Sequence, residues 1–345
     1  MPKRKIKVLF AASEMTPIAK VGGLGDVIGS LPKALRKAGV DARVIIPRYE
    51  KIKNGKNLKI EFLENISVKT GEGKERVSLY KTNVNGVEVF LAENEKYLSK
   101  GGIYFSSTAF ASHFAEVKRF LFFSAAVREI LRSGSFPFKP DIVHANDWHM
   151  GALVSFLKAE KLPLKTVFTV HNLGNQGKWN AADIDNFLVE KNIFCRFGKE
   201  FNFMAEGILN ANVITTVSSR YAGEILTKQY GENLENVLRA RKKDISGILN
   251  GVDYDFFNPA KDKFLFKKYS RNNLAAKEAN KILFQKKYGL KQGAEIPLFG
   301  LVSRLTGQKG IHLISAVCGR LIKEYSCQFA FLGKALRSWI QKRAR

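Results

Sequence analysis

Lys20-Val21-Gly22-Gly23-Leu24-Gly25-Asp26 is the stretch on which the fold turns. Before it, Ile6-Lys7-Val8-Leu9-Phe10-Ala11-Ala12 is short and nearly all apolar, as expected of a strand buried on both faces of a parallel sheet. After it, Val27, Leu31 and Leu35 recur at helical spacing, and Gly39 marks a helix C-terminus. Val40 to Ile46 reads as a second strand, so the first 46 residues predict a βαβ unit. Glycines at such a junction allow a tight turn and close approach of a ligand to the amides, and amides at a helix start favour an anion. Lys20 adds a point charge suited to a phosphate. Two readings stay open here: an anion site, or a turn that uses glycine only for its backbone geometry.

Size and charge set the outer limits. The chain has 345 residues, 45% of them apolar, which is room for about two domains with substantial cores. Its 57 Lys+Arg against 31 Asp+Glu give a net charge of +26, a balance that would suit a polyanion. The cations are scattered rather than gathered in one arm, and no zinc-finger or RNA-recognition motif accompanies them, which argues against direct nucleic-acid binding. Cys195, Cys318 and Cys327 lie far apart with no Cys-x-x-Cys pair, the usage of reduced thiols. No apolar run reaches the ~18 residues needed to span a bilayer. The basic start Met1-Pro2-Lys3-Arg4-Lys5 also lacks the long apolar segment of a signal sequence. The expectation is a soluble cytoplasmic protein without a membrane partner.

Taken in order, Tyr49 to Lys74 is polar and lysine-rich. Arg76–Val84 and Val87–Ala92 then flank Asn85-Gly86, the dipeptide of a two-residue hairpin turn. Phe110 to Leu131 is helical, with Phe114, Val117, Leu121 and Ile130 able to face a core. Asp141-Ile142-Val143-His144 is a strand leading into Ala145-Asn146-Asp147-Trp148-His149, followed by a helix over Leu153–Ala159. Leu164–Val170 is another strand and leads into His171-Asn172-Leu173-Gly174-Asn175-Gln176-Gly177. Both polar clusters therefore fall just past the carboxyl ends of parallel strands, where open α/β sheets bind ligands.

Further on, the pattern predicts a helix over Met204–Ala211, a strand over Val213–Val217, and a helix from an N-cap at Ser219 to about Lys228. Ile245–Leu249 reads as a strand, with Arg239–Lys243 before it as a solvated basic segment. His144, Asp147 and His149 are residue types that ligate zinc, but no second cluster is spaced to complete a site, so no metal is assigned. Asp147, His149 and His171 are better suited to ordering a sugar or phosphate, the alternative for each histidine being a structural hydrogen bond. Trp148 is either a packed aromatic or a sugar-stacking platform.

Lys261–Lys281 turns polar and reads as the junction between lobes. A lysine-rich helix over Ala276–Tyr288 follows, then the strand Pro297–Val302, which ends in Ser303-Arg304-Leu305-Thr306-Gly307-Gln308-Lys309-Gly310. A helix with Ile314, Val317 and Leu321 on one face comes next, then the strand Gln328–Leu332. Arg304 and Lys309 either grip a diphosphate or are ordinary loop cations.

Five blocks carry a specific resemblance. They are Ala12–Met15 with Lys20–Val27, His144–His149, Thr169–Gly174, Ile248–Asp253 and Ser303–Gly310. Together, and in this order, they resemble the bacterial glycogen synthase and plant starch synthase family over residues 6 to about 332. The resemblance implies an α/β fold of the glycosyltransferase B type with two Rossmann-like lobes facing across a cleft. Residues 1–258 would form the acceptor lobe and 259–345 an incomplete nucleotide-sugar lobe.

The implied reaction moves glucose from ADP-glucose to the non-reducing 4-OH of an α-1,4-glucan with retention of configuration. ADP-glucose is a substrate, and neither cofactor nor metal is implied. In the catalytic roles, Arg304 and Lys309 would stabilise the leaving ADP and His171 would hold the glucosyl group. Lys20 with Gly22, Gly23 and Gly25 would bind the diphosphate, and Asp26, Asp147, Trp148, His149 and Asn172 would shape the sugar and acceptor site. Asn175 stands where the family more often has tyrosine.

The end of the chain departs from the family pattern. Only 87 residues follow Asn258, against roughly 150 for a complete nucleotide-binding lobe. The family's paired glutamates have no counterpart, and Lys334–Arg345 reads instead as a basic amphipathic helix. The expectations are a second lobe less stable than the first, with an uncovered apolar face, and impaired transfer. The alternatives are a non-catalytic glucan-binding fragment, or one half of a split synthase restored by a complementing C-terminal chain.

Overall fold

The computed structural model describes residues 4–53, 55, 58–104, 110–190, 192–305 and 307–333. The chain divides into two compact units, Met1–Gly251 and Val252–Arg345. The helix expected over Lys334–Arg345 lies outside the described residues.

The first unit opens with the expected βαβ: β1 (Lys7–Ala11), α1 (Gly23–Lys37) and β2 (Asp41–Pro47), with β1 and β2 parallel. A short α2 (Glu50–Lys53) leads into three antiparallel strands, β3 (Glu61–Thr70), β4 (Gly73–Val84) and β5 (Val87–Glu93). The turn between β4 and β5 is Asn85-Gly86, with φ of 52° and 83° as a type I′ turn requires. After α3 (Phe110–Arg132) come β6 (Ile142–Asn146), α4 (Gly151–Ala159) and β7 (Lys165–Val170). The unit continues through β8 (Lys178–Asn180), α5 (Ala181–Phe187), β9 (Glu200–Asn202), α6 (Phe203–Asn210) and β10 (Val213–Thr216). It closes with α7 (Ser219–Glu224), α8 (Glu235–Ala240) and β11 (Ile245–Gly247).

Among the described residues nine strands form one sheet in the order β11-β10-β7-β6-β1-β2-β5-β4-β3. The pairings from β11 through β5 are all parallel. Successive β1 residues face opposite cores. Leu9 and Ala11 pack with α3, α4 and α6, whereas Val8 and Phe10 pack with α1. Each face of the sheet is thus covered, which is why β1 carries no polar alternation.

Several sequence expectations need correction. β3 lies inside the stretch read only as polar and lysine-rich: Ile66, Val68 and Thr70 point into the core while Asn65, Ser67 and Lys69 face solvent. The alternation was present but was masked by the polar Asn65, Ser67 and Lys69 on the exposed face of an edge strand. In α1 the buried residues are Leu24, Ile28 and Pro32, with Leu31 and Leu35 packed beside them, so the inward stripe is one position away from Val27. The N-cap of α7 is Ser218, whose side chain accepts from the Tyr221 amide, and the helix ends at Glu224 rather than near Lys228. Arg241 is not solvated. Its guanidinium donates to the carbonyls of Ile208, Leu209 and Ala211 at 2.8, 2.7 and 2.6 Å, capping the C-terminus of α6, and Asp244 holds it at 2.7 Å.

The second unit contains α9 (Ala275–Lys287), β12 (Leu298–Val302), α10 (Ile311–Tyr325) and β13 (Gln328–Leu332). β12 and β13 form a parallel pair. In α10 the less exposed positions are Ile311, Ile314, Cys318 and Leu321, while Val317 faces solvent, contrary to its expected place on the inner face. Phe299, Val302, Phe331 and Leu332 on the two strands are exposed.

Candidate functional site

Three neighbouring strands, β1, β6 and β7, deliver the first unit's polar residues to one end of the sheet. The chain leaves β1 toward β2 on one side, and β6 and β7 lie on the other, so β1 and β6 flank the point where strand order reverses. Residues 12–22 follow β1, residues 147–150 follow β6 and residues 171–177 follow β7.

At the end of β1, Glu14 is almost fully buried. Its Oε2 accepts from the amides of Val21 and Gly22 at 2.6 and 2.8 Å, and its Oε1 accepts from the Tyr104 hydroxyl at 2.6 Å. The Tyr104 proton is committed to Glu14, so Ser13 Oγ, 2.8 Å away, donates to Tyr104. The Tyr49 hydroxyl donates to the Ser13 carbonyl at 2.8 Å. Two of the amides expected to await an anion are therefore already held by an internal one.

The glycines are used differently from the expectation of a tight turn. Gly22, Gly23 and Gly25 all avoid the left-handed region, so their extra backbone freedom is not what the site requires. Gly25 is needed for space: a Cβ there would lie 3.0 Å from Glu14 Oε2 and 3.4 Å from Lys20 Cγ. Gly23 faces open space, and a Cβ at Gly22 would make only an ordinary contact with Glu14. Lys20 Nζ sits 2.6 Å from Asp26 Oδ1, each side chain being about two-fifths exposed, and Asp26 also accepts from Thr16 Oγ1 at 3.2 Å. Two residues assigned separately to substrate thus hold each other.

At the ends of β6 and β7, Asp147 accepts from the amides of His171 and Asn172 through Oδ1, at 2.7 and 3.3 Å. Its backbone lies at φ 57°, ψ 178°, a region that glycine occupies freely and aspartate rarely. Burial pushes its carboxyl up to about 7. The two amides oppose that rise and the charge of Glu14 adds to it. Asn146 donates to the carbonyls of Ala11 and His144, which turns its Oδ1 toward His171 Nε2 at 3.0 Å. His171 must therefore carry its proton on Nε2, leaving Nδ1 as an acceptor.

Burial holds all three site histidines neutral, with His171 at about 4 and His144 and His149 at about 3. His144 Nε2 meets Thr169 Oγ1 at 2.6 Å, so it serves the strand interior and not the loop. Trp148 and His149 stack at 4.3 Å, and both are buried. Gly177 passes so close over the Trp148 ring that a Cβ would fall 2.1 Å from it. Among the described residues no group of three His, Cys, Asp or Glu side chains could hold a metal ion.

Tyr104 joins the two clusters, since its ring stacks on His149 at 5.2 Å while its hydroxyl holds Glu14. The structure therefore brings Lys20, Gly22, Gly25 and Asp26 around Glu14, and links them through Tyr104 to His149 and Trp148. Asp147, His171 and Asn172 complete the set from β6 and β7. Asn175 is exposed beside them. Arg304 and Lys309 belong to the second unit, in the turn between β12 and α10, and both are exposed. There Gly310 takes a left-handed conformation, φ 68°, at the start of α10.

Residues 7–240 match the family described as the starch synthase catalytic domain. The chain belongs to the glycogen and starch synthase family. This makes it a glucosyltransferase of the B-type fold. It is 37% identical over 340 residues to a glycogen synthase of Clostridium beijerinckii, covering 95% of this chain and 69% of that one. The glycogen synthase of Geotalea daltonii is 38% identical over 339 residues, with the same coverage of 95% and 69%. Among solved structures, the catalytic domain of starch synthase IV from Arabidopsis thaliana, bound to ADP and acarbose, aligns with a TM-score of 0.87 at 31% identity. That alignment covers 99% of this chain and 70% of the plant domain.

Within this synthase, sequence reasoning assigned no role to Glu14, Tyr104 or Asn146. Glu14 sat inside a quoted motif, but an acid seven residues before a glycine turn carries no sign that it folds back onto that turn. Tyr104 lies 90 residues from Glu14 in the chain, and only the fold joins them.

Proposed function

We propose that this glycogen synthase relative transfers glucose from ADP-glucose to the non-reducing 4-OH of an α-1,4-glucan with retention, as a cytoplasmic enzyme that needs no cofactor beyond its substrates. The observation that carries this reading is the convergence of a cationic glycine turn and a neutral-histidine loop at one end of β1, β6 and β7. Lys20 and the start of α1 offer positive charge and amides to a diphosphate. His171 offers a neutral ring acceptor to a sugar, and Asp147 holds the backbone of His171 and Asn172 in place for it. Arg304 and Lys309 fit the same donor role in the second unit, where they would meet the charge that grows on the departing ADP. A neutral His171 suits a glucosyl group gaining positive character, because an imidazolium there would oppose it.

In this scheme Lys20 and the first turn of α1 from Gly23 meet the diphosphate, the Gly22 amide is held by Glu14, Gly25 leaves room for that carboxylate, and Asp26 sets the position of Lys20. Asp147 acts by holding the His171 and Asn172 amides. Trp148 and His149 are packed side chains that shape the wall behind them and not an open stacking platform.

The test is incorporation of labelled glucose from ADP-glucose into glycogen, with UDP-glucose as competitor donor. ADP release coupled to α-1,4 chain extension, with Lys20→Ala raising the donor KM at least about tenfold, is the expected result. Hydrolysis without extension, or preference for UDP-glucose, would refute the assignment.

A further inference from the structure

Glu14 is the buried ionisable side chain closest to the donor loop, and the mechanism above gives it no substrate to touch. Its carboxylate is saturated by protein donors: the Val21 and Gly22 amides on Oε2, and Tyr104 on Oε1. The partners are themselves anchored. Tyr104 is held by Ser13 Oγ, and the chain just before it is pinned by the buried Arg119, which donates to the carbonyls of Tyr97 and Ile103 at 3.0 and 3.1 Å and also to those of Lys100 and Gly102. A rigid path thus runs from α3 through the 97–104 segment to Glu14, and from Glu14 to the two residues between Lys20 and the first turn of α1.

We propose that Glu14 is a positioning residue for the donor diphosphate: by fixing the Val21 and Gly22 amides it sets the direction in which Lys20 and the first turn of α1 meet the phosphates. This rests on the donor role given to Lys20 above. A negative charge beneath an anion site opposes binding by itself, so its presence needs a geometric gain to offset it. The gain is the removal of loop freedom before the ligand arrives. Gly25 is part of the same device, because any side chain there would displace the carboxylate.

Geometry and charge are separable. Glu14→Gln keeps one carbonyl oxygen for the two amides and can turn its NH2 toward the Tyr104 oxygen, so the shape survives and the charge does not. Glu14→Ala removes both. Gly25→Ala reaches the same contact from the helix side, at a position where alanine favours the helix.

The experiment measures donor KM, glucan KM and kcat, together with ADP affinity by calorimetry, for the full chain and these three variants. Expected are donor KM and ADP Kd raised at least about tenfold in Glu14→Ala and about three- to tenfold in Gly25→Ala, with glucan KM within about twofold. Glu14→Gln should stay within about threefold of the parent on every parameter. Parent-like donor binding in both alanine variants overturns the proposal. So does a Glu14→Gln variant as impaired as Glu14→Ala, or a parallel rise of glucan KM and donor KM. If Glu14→Ala does not fold, Gly25→Ala and Glu14→Gln decide alone. A parent chain with no affinity for ADP or ADP-glucose would instead refute the function itself, and this proposal with it.

Discussion

The two units use the same local plan, strand, glycine-bearing loop, helix, strand, and differ in what surrounds it. In the first, β1 is the centre of a nine-stranded sheet, and Val8 to Ala11 are all buried. In the second, β12 pairs with β13, and Phe299 and Val302 stay exposed. The loops differ accordingly. Residues 13–26 are tied down by a buried glutamate, whereas Arg304 and Lys309 lie exposed in a turn where Ser303 Oγ donates to the Arg304 carbonyl at 3.1 Å and the Gly310 amide to the Gly307 carbonyl at 2.9 Å. Equal apolarity of the strands does not give equal burial of the loops they carry.

Hydrogen exchange is the most direct way to break this comparison. Amides of β12 and β13 should exchange at least about a hundredfold faster than those of β1, β6 and β7, because opening the second unit exposes little buried surface. Equal protection would show that the exposed apolar strands are no weaker than the buried ones.

Next in size is Asp147→Ala, which strips the His171 and Asn172 amides of their acceptor. It should cost the first unit about 1–3 kcal/mol in urea titration, the range for leaving a buried donor unsatisfied. Arg304→Ala should leave stability within about 0.5 kcal/mol.

A pH titration sharpens the picture of the site. The three buried histidines have folded values below the usual 6.5, so their contribution to stability is complete near neutrality and is lost as pH falls from 6.5 to about 4 for His171 and about 3 for His144 and His149. Asp147 acts in the opposite sense. Its folded value of about 7 lies above 3.8, so its contribution is full in acid and is lost as pH rises through roughly 4 to 7. Stability should therefore fall on acidification, and fall more steeply in Asp147→Asn, where the opposing group is gone. A shallower slope in that variant would mean the carboxylate is ionised throughout. A small effect on stability is also expected of Lys20→Ala, whose half-exposed pair with Asp26 should change it by less than about 1 kcal/mol while donor KM still rises.

Much of the site was legible as blocks, because each block follows a strand whose apolar run announces its end. Asp147, His171 and Asn172 fall at strand ends by the apolar pattern of the sequence, and the fold puts them in contact. Trp148 carried two readings, and the burial of its ring beneath Gly177 selects packing. β3 escaped because an edge strand keeps charges on its open face, and those charges outweighed its buried Ile66 and Val68. Arg241 escaped because a basic run looks solvated unless the carbonyls it caps are known.

What the chain order alone determined is the succession of parallel strands and the glycine, histidine and arginine loops after them. These depend on period, apolarity and turn chemistry, which are local. What only the tertiary structure decided is which groups answer one another: Glu14 with the Val21 and Gly22 amides, Tyr104 between Glu14 and His149, and Asn146 setting the proton of His171. Those pairings join residues up to 90 positions apart, and a buried polar group takes whichever partner the packing brings within hydrogen-bond reach.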